Sequence, residues 1–225
     1  MSPFRATNVR LTDDEARVLG SLVEKEITTP NYYPLSLNAL INACNQKSNR
    51  DPVMSLNEEA VRRALHSLNE KGLTGTASTA GDSRVAKYEH RMQEGFNFTR
   101  RETAVICVLM LRGPQTPGEL RGRSERMHRF EDLTDVQSTL HKLMTRDEPL
   151  VKVLPRQPGT KEARYAHLLS GEKPEWDAPP APVETRMESS ADGERIAQLE
   201  EEISNLKKDI ADLKQEFAGF RKQFE

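Results

Sequence analysis

The chain has 225 residues, of which 36% are hydrophobic and 30% are charged, and its formal net charge is −2. This length suits one or two domains with an extension, and no apolar run approaches the roughly 20 residues that a membrane-spanning helix needs. The near-neutral charge argues against strong non-specific binding to nucleic acid, which usually requires a basic footprint.

Cysteine usage and the first residues predict the compartment. Cys44 and Cys107 are the only cysteines, and neither belongs to a C-x-x-C motif. Both lie within apolar helical patterns, so we expect buried free thiols. Met1 to Arg5 lack the apolar segment of a signal peptide. Together these features predict a protein of the reducing cytoplasm.

The first part of the chain predicts three helices followed by a hairpin. A helix with a capping box begins near Leu11, and a short helix extends from Ser36 to about Cys44. In the third helix Ser55 and Glu58 have capping-box spacing, and Gly72 stands where a left-handed residue ends a helix. Its predicted buried residues are Val61, Leu65 and Leu68, and its predicted exposed residues are Glu59, Arg62, Arg63, His66 and Glu70.

The same helical signals recur in the same order further along the chain. A helix with a capping box begins at Thr99, and a short helix begins at Thr116 with Pro117 in its first position. A third helix repeats the spacing of the first copy through Val136, Leu140, His141 and Leu143. The recurrence predicts two copies of one fold.

The hairpins also repeat, because residues 84–90 are echoed by residues 161–167. This alignment makes Tyr88 and Tyr165 equivalent, and we expect both, with Ala86 and Ala163, to lean toward the core. Helix, turn, polar-faced helix and hairpin form the outline of a winged helix-turn-helix. We therefore predict a mainly α fold with small β wings, with two tandem winged helix-turn-helix domains at residues 1–95 and 96–171.

The composition changes after the second copy. Residues 172–193 are rich in proline and small polar residues and predict a linker. Residues 194–225 form a predicted coiled-coil helix, since apolar residues alternate at spacings of three and four from Ile196 to Phe224. Isoleucine at a, leucine at d and opposite charges between g and e favour a parallel homodimer through residues 196–224. A trimer or a helix that docks on another protein are the alternatives.

Four segments resemble the bacterial YceH family. They are Tyr33–Leu40, Ala43–Val53, Glu59–Leu65 and Arg112–Leu120. The resemblance covers residues 11–170 or so and its motifs are specific. It implies a tandem winged-helix protein and carries over no catalytic residues.

No motif for catalysis or metal binding is present in the sequence. The five histidines form no H-x-x-x-H or H-E-x-x-H pair, and no cysteine lies at ligand spacing to one. G-x-G-x-x-G, P-loop and G-x-S-x-G motifs are absent as well. We expect no enzyme activity, no metal and no cofactor.

DNA binding is the first functional hypothesis, because a helix-turn-helix inserts its second helix into the major groove. The candidates in the first domain are Lys47, Arg50, Arg62, Arg63, His66, Arg84 and Lys87. Those in the second domain are Arg121, Arg123, Arg126, Gln137, His141, Lys161 and Arg164.

The second domain is the better candidate by charge. Glu59 and Glu70 share the polar face of the first helix and would repel phosphates, whereas the equivalent face from Thr134 to Thr145 carries no acid. Residues 96–172 contain 13 Lys and Arg against 10 Asp and Glu, whereas residues 1–95 contain 12 of each. An arginine cluster, Arg121, Arg123, Arg126 and Arg129, is predicted in the turn before the second helix. Surface ion pairs with Glu125, Glu131 and Asp132 are the alternative role of these arginines.

A protein-interaction scaffold without DNA binding is the second hypothesis. Tandem winged helices also serve as docking modules, which is an analogy of fold alone. The near-neutral charge favours this role, as does the polar, amide-rich loop of residues 45–53. The sequence narrowly favours a DNA-binding protein with a role in transcription.

Overall fold

The computed structural model describes residues 9–77, 85–156 and 162–176, together with Asn205 and Lys208. These residues form a mainly helical protein with two small antiparallel sheets, which confirms the predicted fold class at this level. The predicted coiled-coil helix lies outside the described residues except for Asn205 and Lys208, which are helical and exposed. The compact unit that contains the described residues from 9 to 176 ends at Asp177.

The first half follows the predicted order. Its helices are α1 (Asp13–Thr28), α2 (Leu37–Cys44) and α3 (Glu58–Glu70), and its strands are β1 (Leu35–Ser36), β2 (Thr74–Thr76) and β3 (Lys87–His90). A 3-10 turn, Pro30–Tyr32, follows α1, and a short helix α4 (Met92–Phe96) leads to the second half. The strands pair antiparallel in the order β1-β3-β2.

The start of α3 differs from the prediction. Asn57, and not Ser55, is the N-cap residue, because its side-chain oxygen accepts a hydrogen bond of 2.8 Å from the Ala60 amide. The capping box predicted for Ser55 and Glu58 is therefore wrong, and Glu58 is instead the first helical residue. The end of the helix is as predicted, since Gly72 has a φ of 68°.

The second half repeats the order of the first. It contains α5 (Arg100–Arg112), α6 (Pro117–Ser124), α7 (Leu133–Met144), β4 (Val151–Val153) and β5 (Tyr165–His167), and a 3-10 turn at Pro174–Trp176 follows. The predicted capping boxes form at the start of α1 and α5, where Thr12 and Thr99 pair reciprocally with the glutamate three residues on. Thr116 and Glu119 form a further capping box at the start of α6.

The register of the two hairpins is also the same. Tyr88 lies opposite Thr76 and Leu35, and Tyr165 lies opposite Val153 and Gln115. Both tyrosine side chains are partly buried and pack against the core, as expected. Ala86 is an exception, because it precedes β3 and is exposed rather than directed to the core. Both hairpin turns fall outside the described ranges.

The two halves share one hydrophobic core, which is centred on α1 and α5. Gly20 of α1 lies against Leu111 of α5, where an added Cβ would be 3.0 Å from the leucine side chain. The Cys107 thiol donates to the Gly20 carbonyl at 3.4 Å. Cys44 and Cys107 are both free and buried, as predicted, and burial raises the pKa of Cys44 to about 11. The division into separate domains at residues 95 and 96 stays a prediction.

Within the part of the chain that the structure describes, no helix is both long and apolar enough to cross a bilayer.

Candidate nucleic-acid interface

The polar face of α3 is exposed as predicted, but its basic groups are paired with acids on the same helix. Arg62 Nη2 lies 2.8 Å from Glu58, and Arg63 forms an equivalent pair with Glu59. His66 Nε2 lies 3.5 Å from Glu70 Oε1. Each of these basic side chains therefore has a carboxylate one turn away, and the face as a whole carries little net positive charge.

The polar face of α7 differs in charge and chemistry. Its exposed side chains are Thr134, Gln137, Ser138, His141, Lys142 and Thr145. The acids of this segment are engaged elsewhere, since Asp132 caps the helix by accepting from the Asp135 amide at 2.8 Å. The Asp135 carboxylate is paired with Arg101 of α5. The face thus presents amide, hydroxyl, imidazole and ammonium groups, which are the groups that contact base edges and phosphates.

Lys142 is a basic residue of this face that the sequence analysis missed. It is exposed in the last turn of α7, directly beside His141. The helical spacing from Gln137 and Ser138 to His141 and Lys142 could have identified it.

The arginine cluster before α7 is not confined to a turn. Arg121 and Arg123 lie in the last turn of α6, whereas Arg126 and Arg129 follow the helix. Arg121 donates to the backbone carbonyl of Glu131 at 2.7 Å and remains exposed. None of these four forms an ion pair with the acids proposed as alternatives, Glu125, Glu131 and Asp132, within the described ranges.

Three members of this cluster have no carboxylate partner within the described ranges, and Arg121 is one of them. Arg126 and Arg129 are exposed and form no ion pair with any residue that the structure describes. Arg123 is the opposite case, since its guanidinium contacts the Gln115 side-chain oxygen and lies 3.4 Å from Glu119. Arg123 is therefore less available to a phosphate than its neighbours.

Arg50 has to be removed from the candidate interface, because it lies inside the protein. Its side chain has no exposed surface and bonds to Glu24 at 2.6 Å and to the Ala43 carbonyl at 2.8 Å. Arg17, also buried, donates to the carbonyls of Cys44 and Pro52. Both arginines fix the loop of residues 45–53 against α1.

The remaining candidates are distributed around the molecule. Lys47 is exposed in the loop, and Lys87 is half-buried in β3. Arg164 is paired with Glu119 at 2.8 Å and donates to the Pro114 carbonyl at 2.9 Å, which holds β5 against the start of α6. Arg84 and Lys161, on the predicted wings, lie outside the described residues.

No set of three or more His, Cys, Asp and Glu side chains within the described ranges is arranged to hold a metal ion.

The described part of the chain is thus a mainly helical protein of two similar halves, with a polar face free of unpaired acid on α7. Residues 11–160 match the family described as "Protein of unknown function, DUF480". The chain is 60% identical over 192 residues to a UPF0502 protein of Koribacter versatilis, covering 85% of this chain and 88% of the relative. It is 58% identical over 192 residues to one of Citrifermentans bemidjiense, covering 85% and 87%.

A UPF0502 protein of Geobacter sulfurreducens is 53% identical over 196 residues, with 85% of this chain and 88% of that protein covered. The chain belongs to the UPF0502 family, and this confirms the resemblance to YceH, which is the same family.

Proposed function

We propose that the chain is a tandem winged helix-turn-helix protein that binds double-stranded DNA through the face of α7 and acts in transcription. The observation that carries the proposal is the chemistry of that face. Gln137 and His141 stand one turn apart and are exposed, and the one acid within the helix, Asp135, is neutralised by Arg101. Amide and imidazole groups at this spacing can reach base edges in a major groove.

Positive charge around α7 supports the same role. Lys142 lies on the face itself, and Arg121 and Arg129 precede it in exposed positions. In this proposal these cations would contact phosphates beside the groove, and such contacts position a protein on DNA without reading its sequence. The α3 face is the less suitable one, because its arginines already have carboxylate partners.

The predicted coiled coil and the predicted cytoplasmic location are part of the same proposal. A parallel coiled coil through residues 196–224 would present two copies of α7 to a two-fold symmetric site, as dimeric helix-turn-helix proteins do. The protein would act in the cytoplasm and without enzyme activity, metal or cofactor.

Selection from a random double-stranded DNA library tests this function. We expect the full chain to enrich one sequence motif and to bind it about a thousandfold tighter than unrelated duplex. The Gln137→Ala/His141→Ala variant should not enrich the motif, whereas Arg63→Ala/His66→Ala on α3 should. Failure of the full chain to enrich any motif would contradict the proposal.

A protein-interaction scaffold is the second candidate, and the loop of residues 45–53 favours it. The loop is held rigidly, since Asn45 both donates to and accepts from the Leu56 backbone at 2.8 Å and the Asp51 amide donates to the Leu111 carbonyl. Val53 nevertheless stays 55% exposed on this fixed loop. A rigid loop with an exposed apolar side chain suits a specific protein contact, and a scaffold without DNA affinity would enrich no motif in the selection.

A further inference from the structure

Three arginines from the second half line a small pocket that the first half closes. Arg112 comes from the end of α5, Arg123 from the last turn of α6, and Arg126 from the segment after it. Glu24 of α1 and Asn49 of the 45–53 loop form the opposite side. The pocket therefore lies within the compact unit, where the two halves meet.

The charges in this pocket are not balanced. Glu24 is the one carboxylate among its lining residues, and it is already bound to the buried Arg50 at 2.6 and 3.2 Å. Arg112 donates to the neutral side-chain oxygen of Asn49. Arg126 has no ion-pair partner in the part of the chain that the structure describes. Positive charge is consequently in excess on the pocket wall.

The carboxylate nearest to Arg123 offsets only part of this excess, since Arg112 and Arg126 have no carboxylate partner within the described ranges. Glu119 lies 3.4 Å from Arg123, but it stands outside the pocket and is shared with Arg164 at 2.8 Å. Arg112 lies in this positively charged environment. Burial and the nearby Arg123 guanidinium both lower the pKa of Arg112. Guanidinium groups held together in a partly desolvated pocket are stabilised when an anion joins them.

We propose that this pocket binds a small oxyanion, either inorganic phosphate or the terminal phosphate of a small phosphorylated compound. A guanidinium presents two N–H groups that match two oxygens of a phosphate, and charge-assisted hydrogen bonds of this kind are among the stronger ones in proteins. Asn49 completes the set with a polar side chain from the opposite half. Bound anion would connect the 45–53 loop to α5 and α6 and would stabilise the junction of the two halves.

The direct test is calorimetric titration of the full chain with inorganic phosphate and with pyrophosphate, at an ionic strength held constant with chloride. We expect saturable binding of at least one of the two and a rise in melting temperature that follows occupancy. The Arg126→Gln variant should weaken binding about tenfold, which corresponds to about 1.4 kcal/mol. It should fold normally because Arg126 has no ion-pair partner among the described residues.

Arg129→Gln is the matched control. It removes the same charge three residues further along the chain, and the Arg129 side chain does not line the pocket. It should bind the anion as the unaltered chain does. An absence of saturable binding of both anions, or equal affinity of the Arg126→Gln and unaltered chains, would overturn the proposal.

A backbone phosphate of nucleic acid shares the same chemistry, and the titration separates it from a free anion. Repeating the measurement with a short DNA duplex present should leave the affinity for the free anion within twofold if the pocket serves small oxyanions. Full displacement of the anion by DNA, with loss of DNA affinity in Arg126→Gln, would instead assign the pocket to backbone phosphate and contradict the assignment to a free anion. The titration contains no DNA in its first arm, so failure of the DNA-binding proposal leaves this result unaffected.

Discussion

The guanidinium of Arg50 lies 2.6 Å from Glu24 Oε2, and the Arg50 side chain has no exposed surface. The same guanidinium donates to the Ala43 and Asn49 carbonyls at 2.8 Å each. This one side chain therefore joins the C-terminal half of α1, the end of α2 and the loop that follows. A buried charge that satisfies so many groups is costly to remove, because the two carbonyls and Glu24 then lose their closest donor.

Arg50→Met should lower the free energy of unfolding by about 3 kcal/mol, near the lower end for a broken buried pair. The lower end is expected because Lys25 stays 3.7 Å from Glu24 and offsets part of the loss. Urea denaturation measures the change, with Arg63→Met as the control, since Arg63 is 66% exposed and pairs only at the surface. A loss for Arg50→Met no larger than for the control would contradict this role.

Urea denaturation can also distinguish the two candidate N-cap residues of α3, Ser55 and Asn57. Asn57→Ala should lower the free energy of unfolding by about 1 kcal/mol, because it leaves the Ala60 amide without its acceptor. Ser55→Ala, two residues earlier on an exposed side chain, should change the free energy of unfolding little. Equal losses for the two variants, measured by urea denaturation, would argue against Asn57 as the cap.

We expect the free energy of unfolding to depend on pH because of His167. Its Nδ1 is buried without a hydrogen-bond partner in the described part of the chain, and burial lowers its pKa from 6.5 to about 4. Between pH 6.5 and 4 the unfolded chain therefore binds a proton that the folded chain does not. The contribution of neutral His167 to the free energy of unfolding is complete above pH 6.5 and is lost as the pH falls toward 4.

Melting temperatures of the unaltered chain and of His167→Phe over that range test the prediction. The variant should lose less stability than the unaltered chain between pH 6.5 and 4, because the ring that replaces His167 does not titrate. His141→Phe, on the exposed face of α7, serves as the control and should follow the unaltered chain. Parallel curves for His167→Phe and the unaltered chain would show that His167 is not the group responsible.

The sequence predicted those features that depend on local pattern. Thr12 and Thr99 each precede a glutamate by three residues, and reciprocal capping needs only these neighbours. Thr116 has the same spacing to Glu119, so its capping box could have been predicted in the same way. The repeat could be predicted for the same reason, since helical and strand periodicities depend on residues that are close together in the sequence. The cap of α3 was misplaced because two residues with good capping side chains, Ser55 and Asn57, lie two positions apart.

Features set by long-range contacts could not be predicted from the sequence. An arginine in a polar loop is ordinarily exposed, and the burial of Arg50 depends on Glu24, which lies 26 residues earlier in the chain. The pocket at Arg112 and Asn49 joins residues 63 positions apart. The neutralisation of Asp135 likewise depends on Arg101 of another helix. The periodicity of apolar residues along the chain does not predict these contacts between distant residues.

The tail should make the protein a parallel dimer. Light scattering on the full chain should give the mass of a dimer, and a chain that ends at Asp177, the end of the first compact unit, should be monomeric. Replacement of the a-position residues Ile203 and Ile210 by lysine should also yield monomers, while Glu201→Lys, which lies off the predicted a and d positions, should not. A dimer that survives the truncation would contradict the coiled-coil prediction.

The measurement that tests the central claim most directly is the salt dependence of DNA affinity for matched variants of the two polar faces, by fluorescence anisotropy on a selected duplex. Gln137→Ala/His141→Ala should weaken binding to the selected sequence by about 10- to 100-fold while leaving the salt slope unchanged, because both side chains contact bases. Arg121→Gln should reduce the slope by about one unit, because it removes a phosphate contact. Arg63→Ala/His66→Ala on α3 should match the unaltered chain in both respects. Binding that is lost in the α3 variant and kept in the α7 variant, or no binding of the full chain at low salt, would contradict the account.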